Sequence, residues 1–118
     1  MAEPNTTSSP GKRDRMVTFE VTTQRPLPVG QQVFISGNLD MLGCWRADGF
    51  PLTRLDDNLW SGYAVIAAGA PVEFKITRGT WSSEEALPDG SPRSVNLTVP
   101  PNGHVAFKHT VERWKDRA

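Results

Sequence analysis

The fold is decided most clearly by residues 71–77, which read PVEFKIT. Apolar and polar side chains alternate along this stretch: Val72, Phe74 and Ile76 share one parity, while Glu73 and Lys75 share the other. Successive side chains of a β-strand point to opposite faces of a sheet, so this alternation predicts a strand with one buried face.

The same period of two continues on both sides of this strand. Further alternating or apolar runs are MVTFEV, QQVFIS, LWSGYAVI, SVNLTV and HVAFKHTV. Turn-forming stretches such as SGNLD, LDDN, AAGAP and PDGSP separate them. Several short strands at this spacing, without a helical stripe of useful length, predict an all-β fold, an antiparallel two-sheet immunoglobulin-like β-sandwich. The side chains expected in its core are Phe19, Val33, Ile35, Trp60, Phe74, Ile76, Leu97 and Phe107.

The first fifteen residues, MAEPNTTSSPGKRDR, differ from the rest of the chain in composition. They are rich in Pro, Ser, Thr and charged residues, and such a segment cannot bury enough apolar surface to offset its ordering entropy. We therefore expect residues 1–15 to be a disordered tail or linker and residues 16–118 to form one domain, as a monomer. The segment lacks the apolar core of a signal peptide, which favours a cytoplasmic location.

Composition argues against several classes of partner. The chain has 118 residues, with 13 Lys and Arg balanced by 13 Asp and Glu. Neutralising phosphate groups requires a basic surplus, so we expect no nucleic-acid partner. No apolar run approaches the length of a membrane span, so we expect no membrane partner either. The single cysteine, Cys44, cannot form a disulfide within the chain, and its side chain is expected to be partly buried.

The sequence contains no convergent catalytic set. There is no G-x-S-x-G elbow, phosphate-binding Gly-Lys loop or calcium loop. His104 lies in a predicted turn, and His109 has the parity of a partly buried strand residue. The adjacent acids Glu84-Glu85 and Asp56-Asp57 would point to opposite faces of a strand and are interpreted as solvated hairpin tips. We therefore predict a non-catalytic protein with no catalytic residues, metal or cofactor.

The tryptophans are the remaining signal. Trp60 lies among apolar strand residues and is expected in the core, and Trp114 is expected to cover one end of the sandwich. Trp45 and Trp81 instead follow turn residues and have polar neighbours. Loop tryptophans offer flat apolar surfaces on which sugar rings can stack, and Lys75 could donate a hydrogen bond to a sugar hydroxyl. The alternative is that both indoles are partly buried hydrophobic caps.

Four motifs, in their order along the chain, resemble the starch-binding modules of carbohydrate-binding module family 20. They are SGNLDMLGCW, PLTRL, LWSGYAVIAAGAPVEFKIT and SVNLTVP, and the resemblance covers residues 16–114. It implies that Trp45, in the L-G-x-W motif, stacks on a glucose unit of an α-1,4-glucan. It also implies that Lys75, at the position of the F-E-Y-K lysine, lies beside it. Trp81 corresponds to a second tryptophan, although it lies nearer the start of its hairpin than in the family pattern.

The resemblance implies a single binding site. The family's second site uses tyrosines, whereas the only tyrosine here, Tyr63, is inside a predicted strand. The resulting hypothesis is a non-catalytic module that binds α-glucan polysaccharide or maltooligosaccharide weakly, with a catalytic domain in the same chain as a candidate partner. The alternative is a spacer or interaction domain attached to a hydrolase or esterase, in which glycan binding is lost. An open Trp45 indole beside Lys75 would favour binding, and an indole covered by residues 80–92 would favour the spacer.

Overall fold

The computed structural model describes residues 14–89, 91, 93–100 and 105–116, and within them the fold is two four-stranded sheets. The first sheet has the strand order β4-β5-β1-β8 and the second the order β3-β2-β6-β7. The all-β two-sheet prediction is therefore confirmed. The strands are β1 (Asp14–Thr23), β2 (Phe34–Gly37), β3 (Phe50–Pro51), β4 (Thr53–Asp56), β5 (Leu59–Ala67), β6 (Pro71–Thr77), β7 (Val95–Thr98) and β8 (Val105–Val111).

The strand pairing is antiparallel with one exception among the described ladders. Strand β6 occupies the stretch predicted from its alternation and pairs with β2 and β7. Strands β1 and β8 run parallel, with Val17 opposite Val105 and Val21 opposite His109. The first and last strands of the domain are therefore neighbours in the first sheet.

The inward-facing side chains of the two sheets meet in one apolar core. The Phe74 ring lies edge-on to the rings of Phe19 and Phe107, with centroid distances of 5.2 and 5.1 Å. Leu97 and Phe107 were predicted to be core residues, but they are only partly buried because they lie on the edge strands β7 and β8. The predicted core residues confirmed as buried are Phe19, Val33, Ile35, Trp60, Phe74 and Ile76, and Trp114 is buried as well.

Strand β1 includes Asp14 and Arg15, two residues that were predicted to belong to the tail. Strand β1 starts at Asp14, which lies opposite Ala67, and Arg15 lies opposite Ile66. Asp14 and Arg15 are polar, so the hydrophobic pattern did not include them in the strand. They pair with β5 through their backbone, which does not depend on side-chain polarity. The rest of the predicted tail, residues 1–13, and His104 lie outside the described residues.

The outer faces of the two sheets differ. On the first sheet Met16, Tyr63 and Val65 point outward and are exposed, and we call this outer face the open face. On the second sheet Ser36 lies opposite Lys75, so the two share the outer face, yet Ser36 is fully buried. The Thr77 hydroxyl donates to the Ala47 carbonyl, and the Lys75 ammonium contacts Glu84, so parts of residues 38–49 and 78–86 lie against this second outer face, which we call the covered face. No helix among the described residues is long and apolar enough to cross a membrane.

Candidate functional site

Trp45 lies on the loop of residues 38–49, which leaves β2 at the covered face. The loop is anchored by a 3₁₀ turn, Asp40–Leu42, whose Leu42 side chain is fully buried. Gly43 then follows with a φ of 86° and lies against Gly49, at a distance where a Cβ atom on Gly43 would be 2.3 Å from the Gly49 Cα. Only glycines allow this close approach, so the two ends of the turn are held together by backbone contact.

The turn that presents Trp45 is strained. Cys44 and Trp45 have φ values of 48° and 66°, in the left-handed region that L-amino acids other than glycine rarely adopt. Such residues cost about 1–3 kcal/mol each and persist only when the surrounding structure enforces them. Here the Cys44 N–H donates to the Leu39 carbonyl at 3.1 Å, and the Trp45 N–H donates to the Gly37 carbonyl at 2.9 Å.

The strained turn leaves both side chains accessible. Trp45 is 36% exposed, so part of the residue is open to solvent. Cys44 is also exposed, so the expectation that its side chain is partly buried is wrong. The left-handed backbone places this turn on the outside of the loop. The only sequence signal for that conformation was the preceding Gly43.

Lys75 lies next to this loop through the register of β2 and β6. Gly37, which accepts the Trp45 N–H, pairs with Phe74, and Ser36 pairs with Lys75. The Lys75 side chain is not free, because its Nζ atom lies 3.4 Å from Oε1 of Glu84. An ammonium group carries three N–H donors, so this pair still leaves donors for a ligand.

Trp81 begins the 3₁₀ turn Trp81–Ser83, which follows β6. A capping box formed by the side chains of Thr80 and Ser83 fixes the start of this turn, and the Trp81 side chain is 38% exposed. The turn leads directly into Glu84, whose carboxylate reaches Lys75. The three predicted site residues are thus connected: Trp45 to Lys75 by the β2–β6 ladder, and Trp81 to Lys75 by Glu84.

The interpretation of Glu84-Glu85 as a solvated hairpin tip is wrong, since the two residues are only 5% and 3% exposed. Residues 84–86 form an extended strip against residues 113–115, and the Lys115 N–H donates to the Glu84 carbonyl at 2.7 Å. The pairing partner comes from the far end of the chain, which local turn signals cannot reveal. Asp56 and Asp57, in contrast, are exposed as expected.

The side chain of His109 contacts Glu85 and Phe107. It is partly buried, as its strand parity predicted, and its Nε2 atom lies 2.6 Å from Oε2 of Glu85. Its ring stacks on the Phe107 ring with a centroid distance of 5.8 Å. Across the described ranges, no group of three or more His, Cys, Asp or Glu side chains could hold a metal ion.

A polar groove of about 430 Å³ runs along β6 and β7 on the covered face. The Asn38 side chain closes one side: its Oδ1 accepts the Glu73 N–H at 2.9 Å, and its Nδ2 donates to the Pro71 carbonyl at 3.2 Å. Glu73 and Lys75 are two residues apart on β6, so their side chains point to the same outer face. This spacing was the sequence signal that could have indicated the groove. The lining residues are Asn38, Pro71, Val72, Glu73, Asn96, Leu97 and Thr98.

The fold and these surface features define a class, a small β-sandwich that presents loop tryptophans next to polar side chains. Comparison with known proteins identifies the family. The family model described as "Starch binding domain", of carbohydrate-binding module family 20, matches residues 15–104, which is more than half of the chain. The chain belongs to this family, and it is accordingly a non-catalytic carbohydrate-binding accessory module.

Relatives that share this domain are much longer than this chain. The chain is 31% identical over 103 residues to an alpha-amylase of Niallia circulans, covering 86% of this chain and 8% of that protein. It is 29% identical over 76 residues to an amylopullulanase of Thermoanaerobacterium thermosulfurigenes, covering 61% and 4%. The chain thus spans less than a tenth of the length of these curated relatives.

Solved structures agree on the fold. A Hypocrea jecorina glucoamylase matches with a TM-score of 0.67 and 25% identity, over 86% of this chain and 17% of that one. The family 20 module of a maltotetraose-forming amylase from Pseudomonas saccharophila matches with a TM-score of 0.57 and 19% identity. That match covers 80% of this chain and 98% of the other, so the two are similar over nearly the whole of an isolated module.

Proposed function

We propose that this module binds α-glucan weakly at one site, with the Trp45 indole as the platform for a glucose ring. The observation that carries the proposal is the strained, hydrogen-bonded turn that leaves Trp45 36% exposed and attaches it to Gly37, next to the β2 residue that pairs with Lys75. Exposing an indole on a strained backbone is unfavourable for the free domain, and strain of this kind is typical of ligand-binding positions. Family membership supplies the ligand class.

In this proposal Lys75 donates to a sugar hydroxyl while keeping its contact with Glu84, and Trp81 forms a second wall. The polar groove that contains Asn38 and Glu73 lies on the same face of β6 as Lys75, so it could receive further glucose units of the same chain. Amide and carboxylate groups match the alternating donors and acceptors of sugar hydroxyls.

The affinity should be modest. A hydrogen bond that replaces one to water contributes only about 0.5–1.5 kcal/mol, and stacking on one open indole adds a similar amount. One such site should give a dissociation constant in the micromolar-to-millimolar range, or roughly −4 to −8 kcal/mol.

We further propose that the module serves a catalytic domain in a longer protein. Its curated relatives are an alpha-amylase and amylopullulanases, of which the matched segment is only 8%, 4% and 7%. A weak single site would then act by holding the attached enzyme near an insoluble polymer, because tethering raises the effective concentration of the second interaction.

The direct test is Trp45→Ala, with Tyr63→Ala as the matched control. Tyr63 is an even more exposed aromatic residue, at 62%, but it lies on the open face. Titration with β-cyclodextrin and maltoheptaose, followed by amide and indole NMR shifts, should show binding lost in Trp45→Ala and retained in Tyr63→Ala. If millimolar ligand leaves the Trp45 indole and Lys75 signals of the unmodified domain unmoved, the spacer interpretation replaces this one.

A further inference from the structure

Glu84 is a buried carboxylate in direct contact with the candidate site. Its side chain is 7% exposed, that of Lys75 is 24% exposed, and the Oε1–Nζ distance is 3.4 Å. A carboxylate taken out of water is strongly unfavourable unless a charge or hydrogen-bond donor compensates it. Lys75 supplies that compensation, so Glu84 and Lys75 restrain each other.

The backbone of Glu84 is held on two further sides. Its N–H donates to the Trp81 carbonyl at 3.4 Å, which closes the turn that carries Trp81. Its carbonyl accepts the Lys115 N–H, and the next N–H, of Glu85, donates to the Ile76 carbonyl at 2.7 Å. Glu84 therefore joins strand β6, the Trp81 turn and the C-terminal segment at one point.

The C-terminal segment is itself fastened to the same corner. The Arg78 guanidinium pairs with Asp116 and lies over the Trp114 ring, 5.1 Å from its centroid. Arg78 is also the residue that follows β6 on the way to Trp81. The Trp81 turn is thus flanked by two residues that contact the C-terminal segment, Arg78 before it and Glu84 after it.

We propose that Glu84 is a positioning residue for the glucan site: its carboxylate fixes the Lys75 ammonium, and its backbone fixes the Trp81 turn, so both are preorganised for the ligand. This inference rests on the function proposed above. A lysine that is already held loses less rotamer freedom when it binds a sugar hydroxyl, which improves affinity without a new contact. Glu84 acts through Lys75 and Trp81 and is not itself required to contact the sugar.

The neighbouring residue provides a matched control. Glu85 is equally buried, and its carboxylate pairs with His109 on strand β8 of the other sheet and not with Lys75. Glu84→Gln and Glu85→Gln each replace one buried carboxylate by an amide of the same shape. Both variants should lose stability, but only Glu84→Gln should disturb the candidate site.

The experiment measures β-cyclodextrin affinity and unfolding free energy for the two variants, together with the Trp81 indole and Lys75 side-chain NMR signals without ligand. We expect Glu84→Gln to weaken binding about three- to tenfold, the cost of immobilising one flexible side chain. Glu85→Gln should change affinity less than about twofold by the same reasoning. Equal effects of the two variants on affinity, whether large or absent, would overturn the inference.

The ligand-free signals separate this inference from the proposed function. If the unmodified domain binds no glucan, the proposed function fails, and positioning by Glu84 is then judged from the Lys75 side-chain signal, which should shift in Glu84→Gln and not in Glu85→Gln. If Glu84→Gln does not fold, Glu84→Asp withdraws the same carboxylate from Lys75 without changing the backbone. An unshifted Lys75 signal in that variant also contradicts the role.

Discussion

The two outer faces of the sandwich are built from strands with the same alternation of side chains, but their outward side chains differ in exposure. On the open face the outward side chains of β1 and β5 meet solvent directly, and Tyr63 and Val65 are 62% and 51% exposed. On the covered face the outward residues Ser36 and Thr77 are fully buried, and the Thr77 hydroxyl contacts residues 38–49 through Ala47. The exposed tryptophans belong to the covering segments and not to the strands.

This difference teaches where a binding surface can be built on a β-sandwich. A strand fixes its outward side chains at regular intervals, whereas a loop packed on a strand can hold a backbone conformation that no strand allows. The left-handed turn at Cys44 and Trp45 is such a case. The Thr77 hydroxyl contributes to this packing, since it donates to the Ala47 carbonyl of the loop at 2.6 Å.

The largest effect is expected in the core between the two sheets, where residues of both sheets pack against Phe74. Phe74→Ala should lower the free energy of unfolding by about 3–5 kcal/mol, because it opens a cavity against the rings of Phe19 and Phe107. Chemical denaturation measures this loss. A loss under about 1 kcal/mol, well below the range for buried aromatic residues, would mean that Phe74 is not central to the packing of the sheets.

An intermediate effect on the free energy of unfolding is expected when matched threonines on the two outer faces are replaced. Thr77→Val on the covered face leaves the Ala47 carbonyl and the Gly79 N–H without their hydroxyl partner and should cost about 1–3 kcal/mol. Thr18→Val on the open face, opposite Tyr63, should stay within about 0.5 kcal/mol. The two values come from the same denaturation assay. Equal costs would show that the covering loop adds nothing to the stability of its sheet.

The smallest effect is expected just beyond the covering segment of residues 78–86, at an exposed aspartate. Asp89 is exposed, and hydrogen bonds from the Ser91 hydroxyl, at 2.6 Å, and from the Ser91 N–H lower its pKa below the ordinary value of 3.8. Ser91→Ala removes the larger cause, so the Asp89 pKa should rise towards 3.8 in a carboxyl NMR titration.

The sign of the associated stability change follows from that direction. A pKa lowered by folding stabilises the native state above 3.8, and this contribution disappears as the pH falls through the lower native value. Ser91→Ala should therefore reduce stability slightly at neutral pH and not at a pH below both values. An unchanged Asp89 pKa in Ser91→Ala would show that the backbone N–H alone sets it.

The comparison also shows how far the sequence could predict the site. Trp45 and Trp81 were singled out by their polar, turn-rich surroundings as either a sugar platform or partly buried caps, and they are 36% and 38% exposed. Lys75 was placed on the outward face of β6 by parity alone, and its pairing with Ser36 agrees. The pairing of Lys75 with Glu84 was missed, because a buried ion pair nine residues apart across a turn has no local pattern.

The sequence by itself determined the fold class, most of the core and the candidate tryptophans, because a period of two and turn-forming residues are local properties of the chain. Only the tertiary structure decided that Glu84 and Glu85 are buried, that Cys44 is exposed and that β1 begins at Asp14. Each of these depends on a partner distant in sequence or on the packing of a loop. Burial and pairing are set by which segments meet in space, and two adjacent glutamates carry no signal that one will meet Lys75 and the other His109.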